Sequence, residues 1–280
     1  MTRRVALIGA PLRRRHSAVM HNAAFAAHGI DAEFELRPLG PDEVPGFFEE
    51  ARGADWLGFG VTAPYKQVAM SHLDEIEPGA VAIGAVNNGV RRDEGSLVGF
   101  NTDAPGFISA VRSMGTDVEG STAVVVGAGG AARAVVWALL DAGAVSVFVA
   151  NRTLDRARGL AESLGSFGVV ETGRQGDVSF DRAMESAVIA VNATTMGMST
   201  PDVAFDVDRL SPSALVFDLV YVPAETPLVR AAVVRGLRVC NGLEMLVRQG
   251  EIAFERWTGI GETADVMRGA LESLPSGPDE

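Results

Sequence analysis

The stretch Thr122-Ala123-Val124-Val125-Val126 passes without a break into Gly127-Ala128-Gly129-Gly130-Ala131-Ala132, and no other feature limits the fold so severely. An apolar strand that meets a G-x-G-x-x-A turn at the start of a helical run predicts a βαβ unit of a parallel sheet built to hold a dinucleotide. Gly127 permits the tight turn, Gly129 lets the backbone approach a pyrophosphate, and Ala132 keeps the helix close to the sheet. Ala128, Gly130 and Ala131 complete the turn, where the helix N-terminus attracts phosphate. The plainer alternative is a glycine-rich turn that holds nothing.

Further along, where an NAD enzyme sets a carboxylate on the ribose hydroxyls, the chain has Asn151-Arg152-Thr153 instead. Arg152 can pair with a 2′-phosphate, Thr153 can donate a hydroxyl hydrogen bond, and Arg156 follows one turn later on the same face, so NADP is expected over NAD. A solvated Arg152 and a capping Thr153 would account for the same residues. Asn192-Ala193-Thr194 follows another expected strand and reads either as the lining of the nicotinamide end or as a bare loop.

Strand and helix alternate on both sides of the glycine turn. Before it, strands are expected at Val5–Ile8, Ala32–Leu36 and Trp56–Val61. A hairpin is expected from Asn88–Arg91 to Leu97–Phe100, with helices at Ala18–His28, near Glu43–Ala51, from about Tyr65, and over Pro105–Met114. After it, strands recur at Val145–Ala150, Val188–Asn192, Leu215–Leu219 and Leu237–Cys240, and the last forty residues read as mostly helical, with a frayed tail from Pro275 to Glu280. The expectation is an α/β fold in two domains, an N-terminal α/β substrate domain and a nucleotide domain.

Composition narrows the partners. With 36 acidic against 24 basic residues the net charge is −12, and there is no basic tract, so nucleic acid and anionic membranes are disfavoured and a small-molecule ligand is expected. Cys240 is the only cysteine, which forbids an intrachain disulfide and fits a cytoplasmic protein. Its place at the end of a strand makes it a buried, inert thiol. No signal or spanning segment is read, and the four histidines lack ligand spacing, so no metal site is expected. His28 and His72 read as surface residues and His21 as a structural hydrogen-bonding residue. A monomer or homodimer is expected.

Of the 24 basic residues, 23 are arginine and one, Lys66, is lysine. Arginine holds its proton in proteins whereas lysine can be tuned to exchange it, so a site that needs a proton-transferring amine could not accept the replacement. Lys66 closes Gly60-Val61-Thr62-Ala63-Pro64-Tyr65-Lys66, and the expected helix from Tyr65 would set it at a dipole's positive end. Asn87 in Gly84-Ala85-Val86-Asn87 reads as a turn residue or an amide for the site. Asp103 in Asn101-Thr102-Asp103 reads as an N-cap or a carboxylate for the site.

Taken in order, Val61-Thr62-Ala63-Pro64-Tyr65-Lys66, Gly84-Ala85-Val86-Asn87, Asn101-Thr102-Asp103, Gly127-Ala128-Gly129-Gly130-Ala131 and Asn151-Arg152-Thr153 strongly resemble the motifs of the shikimate dehydrogenase family. Asn192-Ala193-Thr194, Asp218-Leu219-Val220-Tyr221 and the run from Gly242 to Gln249 extend the match over nearly the whole chain. The resemblance implies hydride transfer between shikimate and 3-dehydroshikimate with NADP. It implies Lys66 and Asp103 as the proton-transfer pair, and Thr62, Asn87, Tyr221 and Gln249 as substrate contacts. It adds Asn192, Thr194, Val220 and Gly242 to the cofactor site, and a cleft between a substrate domain at 1–104, completed by helices at 242–280, and a Rossmann-type domain at 105–241.

One stretch departs from that pattern. Where the family carries H-S-x-S-P, this chain has Arg14-Arg15-His16-Ser17-Ala18 in register with the shared His21-Asn22, so Arg15 replaces the first serine and Ser17 keeps the second. A guanidinium could grip a substrate carboxylate bidentately while reshaping the pocket, which leaves quinate, aminoshikimate or a related acid as an alternative substrate. Arg13-Arg14-Arg15 as a solvated loop and Ser17 as an N-cap are the plainer readings. A non-catalytic NADP-binding regulator is a further alternative, against which Lys66 and Asp103 both speak.

Overall fold

The computed structural model describes residues 1–12 and 14–274. Arg13 and the tail from Pro275 to Glu280 lie outside the described residues. The chain divides into two compact units, Met1–Thr102 with Leu246–Glu280, and Asp103–Met245.

The first unit opens with β1 (Arg3–Gly9), α1 (His16–Ala27), β2 (Ala32–Pro38), α2 (Val44–Glu50) and β3 (Trp56–Val61). It continues with β4 (Glu75–Ile76), α3 (Pro78–Ile83), β5 (Asn88–Arg91) and β6 (Leu97–Phe100). The sheet order is β2-β1-β3-β5-β6-β4. β1 runs parallel to β2 and β3, whereas β5 pairs antiparallel with both β3 and β6, which forms the expected hairpin. Ala6, Ile8 and Val61 meet Phe47, Phe48, Trp56 and Phe59 in one buried cluster. The rings of Phe48 and Phe59 meet edge to face at 5.2 Å.

The second unit comprises α4 (Asp103–Ser113), β7 (Thr122–Val126), α5 (Gly130–Asp141), β8 (Ser146–Ala150), α6 (Leu154–Leu164), β9 (Val169–Gly173) and α7 (Val178–Ser186). β10 (Ile189–Asn192), β11 (Leu215–Asp218), α8 (Pro227–Val234) and β12 (Arg238–Asn241) follow. Its sheet runs β12-β11-β10-β7-β8-β9 with every pair parallel. Strands buried on both faces need continuous apolar sequence, which Val124, Val125, Val147, Val149, Val191 and Val216 supply. Helix α9 (Gly242–Thr258) then starts in the second unit and ends in the first, where α10 (Ala264–Glu272) packs on α1. One division of the chain therefore falls inside a helix, where the sequence suggested its start. No described helix is long and apolar enough to cross a membrane.

Candidate active site

In the second unit the strand order reverses between β7 and β10, and ligands of such sheets bind outside the strand ends at that point. Gly127 leaves β7 with φ +124°, and a Cβ there would stand 2.7 Å from the Ala193 carbonyl oxygen, so the backbone conformation and the neighbouring loop both demand glycine. Gly129, the N-cap of α5, makes no side-chain cap bond, and a Cβ on it would meet nothing within 4 Å. The first N–H groups of α5 thus have an open approach, which fits a pyrophosphate.

At the end of β8, the Asn151 amide donates to the Thr153 carbonyl at 2.8 Å and steadies the turn. Thr153 occupies the N-cap of α6, yet its hydroxyl makes no cap bond. Arg152 and Arg156 are exposed, and neither makes an ion pair among the described residues. Two uncommitted guanidiniums and a hydroxyl fit a phosphomonoester.

Asn192, expected as a cofactor contact, is engaged within the protein. It is fully buried; its Nδ2 donates to Asp218 at 2.8 Å and its Oδ1 accepts from the Thr194 amide at 3.0 Å and hydroxyl at 2.6 Å. Both ends of the amide are engaged in the protein, so Asn192 shapes the loop that presents Thr194. Val220 is buried and its N–H donates to Asp218, while Tyr221 beside it is half-buried. Gly242 lies so close to Leu219 that a Cβ would collide with its carbonyl. Its service is to let α9 start under that turn.

In the first unit the segment after β3 differs from expectation. No α-helix begins near Tyr65: residues 63–67 form successive turns and only a 3₁₀ helix, Val68–His72, follows. The dipole argument for Lys66 therefore has no α-helix behind it. Tertiary bonds hold the segment instead. The Thr62 amide donates to Ile8 at 2.9 Å, the buried Tyr65 hydroxyl donates to the Leu39 carbonyl at 2.6 Å, and the Val86 amide donates to the Lys66 carbonyl at 2.9 Å. Lys66 and Thr62 are half-buried.

Thr102, which the motif contained without a role, is a hub. Its hydroxyl accepts from Asn87 Nδ2 at 3.1 Å and Asn88 Nδ2 at 2.8 Å, and its one proton goes to Gln249 Oε1 at 3.0 Å. Its amide donates to Asn87 Oδ1 at 2.8 Å, which fixes which way that side chain faces. Asn87, Asn88 and Thr102 are all buried. Asn87 and Gln249 are thus joined through one hydroxyl although they stand far apart in sequence. Asp103 is the first residue of α4 and is buried in the second unit, so it sits in the helix rather than capping it.

Arg15 is the N-cap of α1, exposed, with no side-chain hydrogen bond or ion pair among the described residues. Ser17 lies in the first turn, half-buried, and is no N-cap. His21 is in the second turn; rather than hydrogen bonding, its ring stacks on Phe34 at 4.7 Å, and Nδ1 has no partner. His72 is half-buried and stacks on Phe48 at 5.0 Å, so only His28 matches its surface reading. Burial pushes the Cys240 thiol up to about 12, with Glu244 adding to the shift, which keeps it protonated and inert at neutral pH.

Three family models match the chain: a shikimate dehydrogenase substrate binding domain over residues 7–88, shikimate / quinate 5-dehydrogenase over 109–218, and a shikimate 5′-dehydrogenase C-terminal domain over 242–272. A shikimate dehydrogenase (NADP(+)) of Geobacter sp. strain M21 is 41% identical over 285 residues, covering 99% of this chain and 97% of the relative. The crystal structure of shikimate 5-dehydrogenase from Thermus thermophilus in complex with NADP(H) and shikimate has a TM-score of 0.86 at 37% identity, covering 97% of this chain and 99% of that one. Quinate dehydrogenase from Corynebacterium glutamicum in complex with NAD has a TM-score of 0.90 at 30% identity, covering 98% and 99%.

Proposed function

Because the chain belongs to the shikimate dehydrogenase family, we propose that Lys66 and Asp103 are its proton-transfer pair. The protein is an NADP-dependent oxidoreductase that interconverts shikimate and 3-dehydroshikimate. The observation that carries this reading is the 41% identity over nearly the whole chain.

The unit Met1–Thr102 with Leu246–Glu280 serves as the substrate domain and the unit Asp103–Met245 as the NADP domain. When bound, NADP accepts or returns the carbon-bound hydrogen of the substrate as hydride. Lys66 Nζ takes the hydroxyl proton in the oxidising direction and gives it back in the reducing one. Asp103, a carboxylate held at the start of a helix, would hold the amine in place. Thr62, Asn87, Tyr221 and Gln249 contact the substrate. The Thr102 hub supports this for Asn87 and Gln249, since it locks both amides before any ligand arrives and removes that ordering cost from binding. Gly127 to Ala131 hold the pyrophosphate, and Arg152, Thr153 and Arg156 the 2′-phosphate. Asn151, Asn192 and Gly242 shape the turns, and Thr194 and Val220 line the nicotinamide end. The enzyme works in the cytoplasm as a monomer or homodimer.

A second reading, turnover of quinate or another cyclic hydroxy acid, is favoured by Arg15, an exposed and uncommitted guanidinium at the mouth of α1. With Ser17 it grips the substrate carboxylate. The purified protein is offered NADP or NAD with shikimate, quinate and an amino analogue, and nicotinamide reduction is followed by absorbance. Shikimate with NADP should be fastest. A better alternative acid, with the preference moved toward shikimate by Arg15→Ser, would favour the second reading; no reduction with any pair would end both.

A further inference from the structure

Asp218 is the one buried carboxylate of the second unit that the reaction above does not use. It ends β11 with no solvent exposure and with no cationic partner among the described residues. Burial pushes its carboxyl pKa up, and three hydrogen-bond donors oppose that shift.

The directions of those bonds are fixed. Thr226 Oγ1 accepts from the Val229 amide at 3.1 Å, so its single proton points to Asp218 Oδ2 at 2.6 Å. Thr194 Oγ1 accepts from the Met196 amide at 3.0 Å, so its proton goes to Asn192 Oδ1. That leaves Asn192 Nδ2 facing Asp218 Oδ1, which also receives the Val220 amide at 3.0 Å. The bonds from the Met196 amide through Thr194 and Asn192 thus lead to one carboxylate, which accepts at both oxygens, while Asn192 Nδ2 also donates to the Met196 carbonyl at 3.2 Å and ties the loop back on itself. The same carboxylate holds the loop after β10, the turn after β11 and, through Thr226, the start of α8. The first of these loops lies against Gly127, where Thr194 Cγ2 stands 3.2 Å from the place of a Cβ.

We infer that Asp218 is a positioning residue for the reactive end of the cofactor, an anionic anchor that sets Thr194 and Val220 together against the glycine turn. The inference rests on the cofactor reading of this unit. A neutral acceptor of the same shape cannot replace the carboxylate. In Asp218→Asn an N–H must face either Thr226 or the pair Asn192 and Val220, and at least one buried donor loses its acceptor.

Asp218→Asn is tested by NADPH binding through fluorescence, by steady-state turnover, and by hydrogen exchange of the Thr194, Met196 and Val220 amides. NADPH should still bind, because its phosphates are held elsewhere in the unit. kcat should fall about tenfold to a hundredfold, as expected for a small displacement of reacting groups, and the three amides should exchange faster. Faster exchange with kcat unchanged would make Asp218 a structural residue only, and unchanged exchange would remove the anchor altogether; either overturns the inference. If Asp218→Asn does not fold, Thr226→Val decides by the same readouts, with Thr226→Ser expected to restore kcat and protection. Wild-type protein that fails to bind NADPH would end the cofactor reading itself, which an inert Asp218→Asn would leave standing.

Discussion

Replacing His21 by phenylalanine should change how stability depends on pH more than it changes stability itself. The ring lies between Phe34 and Trp257, at centroid distances of 4.7 and 5.0 Å, with Phe254 at 6.4 Å. Burial there lowers its pKa from 6.5 to about 3. The folded protein keeps the imidazole neutral while the unfolded chain takes up a proton as the pH drops through 6.5. The stability contribution is therefore complete above that value and is lost progressively as pH falls toward the folded value. From about pH 7 to about pH 5 the unfolded state gains close to one proton over about one and a half units, a loss of about 2 kcal/mol. His21→Phe keeps a planar ring among aromatic neighbours and removes the proton site. Hydrogen exchange of the α1 amides under mild urea reads the unit in which His21 sits. The variant's stability relative to wild type should improve by about 2 kcal/mol over that interval, because every other titrating group is common to both proteins. A gap between the two proteins that does not vary with pH would refute the reasoning.

Three further outcomes follow from the site. Lys66→Ala should lower kcat by about a hundredfold to ten-thousandfold while NADPH affinity stays near wild type; turnover equal to wild type would remove Lys66 from the chemistry. Arg152→Ala should weaken NADP by about tenfold and leave NAD almost unchanged, as loss of one charge-assisted phosphate contact implies, and competition binding with both cofactors measures the ratio. Thr102→Val should destabilise the first unit by about 2 kcal/mol, since it strands buried amide donors. It should also raise the KM for the acid substrate, which denaturation and initial-rate assays check separately.

Where local chemistry decided the structure, the sequence was readable. The run from Thr122 to Ala132 formed the strand, turn and helix expected, and the hairpin across Asp93-Glu94-Gly95 appeared because two short strands flank a polar turn closed by glycine. Elements held by distant partners were not readable. β9 carries mostly exposed or half-buried residues at the sheet edge and has little apolar signal, so nothing in it announces a strand. The segment around Lys66 resembles a helix start, yet bonds from Val86 and to Leu39 hold it as turns. The motif order pointed to Asn87, Asp103 and Gln249, but that one threonine hydroxyl joins Asn87 to Gln249 depends on residues separated by most of the chain. His21 is buried by Phe254 and Trp257, which no local pattern near α1 could reveal.

The passage of α9 from one unit to the other bears on synthesis as much as on architecture. The second unit is contiguous, from Asp103 to Met245, and its six parallel strands are complete once β12 has left the ribosome. The other unit begins first and finishes last. Until α9 and α10 emerge, Phe25, Phe34 and His21 lack the cover of Phe254 and Trp257, and the Gly89 carbonyl lacks the Trp257 indole that donates to it at 3.0 Å. The nascent chain therefore holds an open apolar face from the emergence of α1 until α9 follows, and transiently exposed surface of that kind is prone to aggregation.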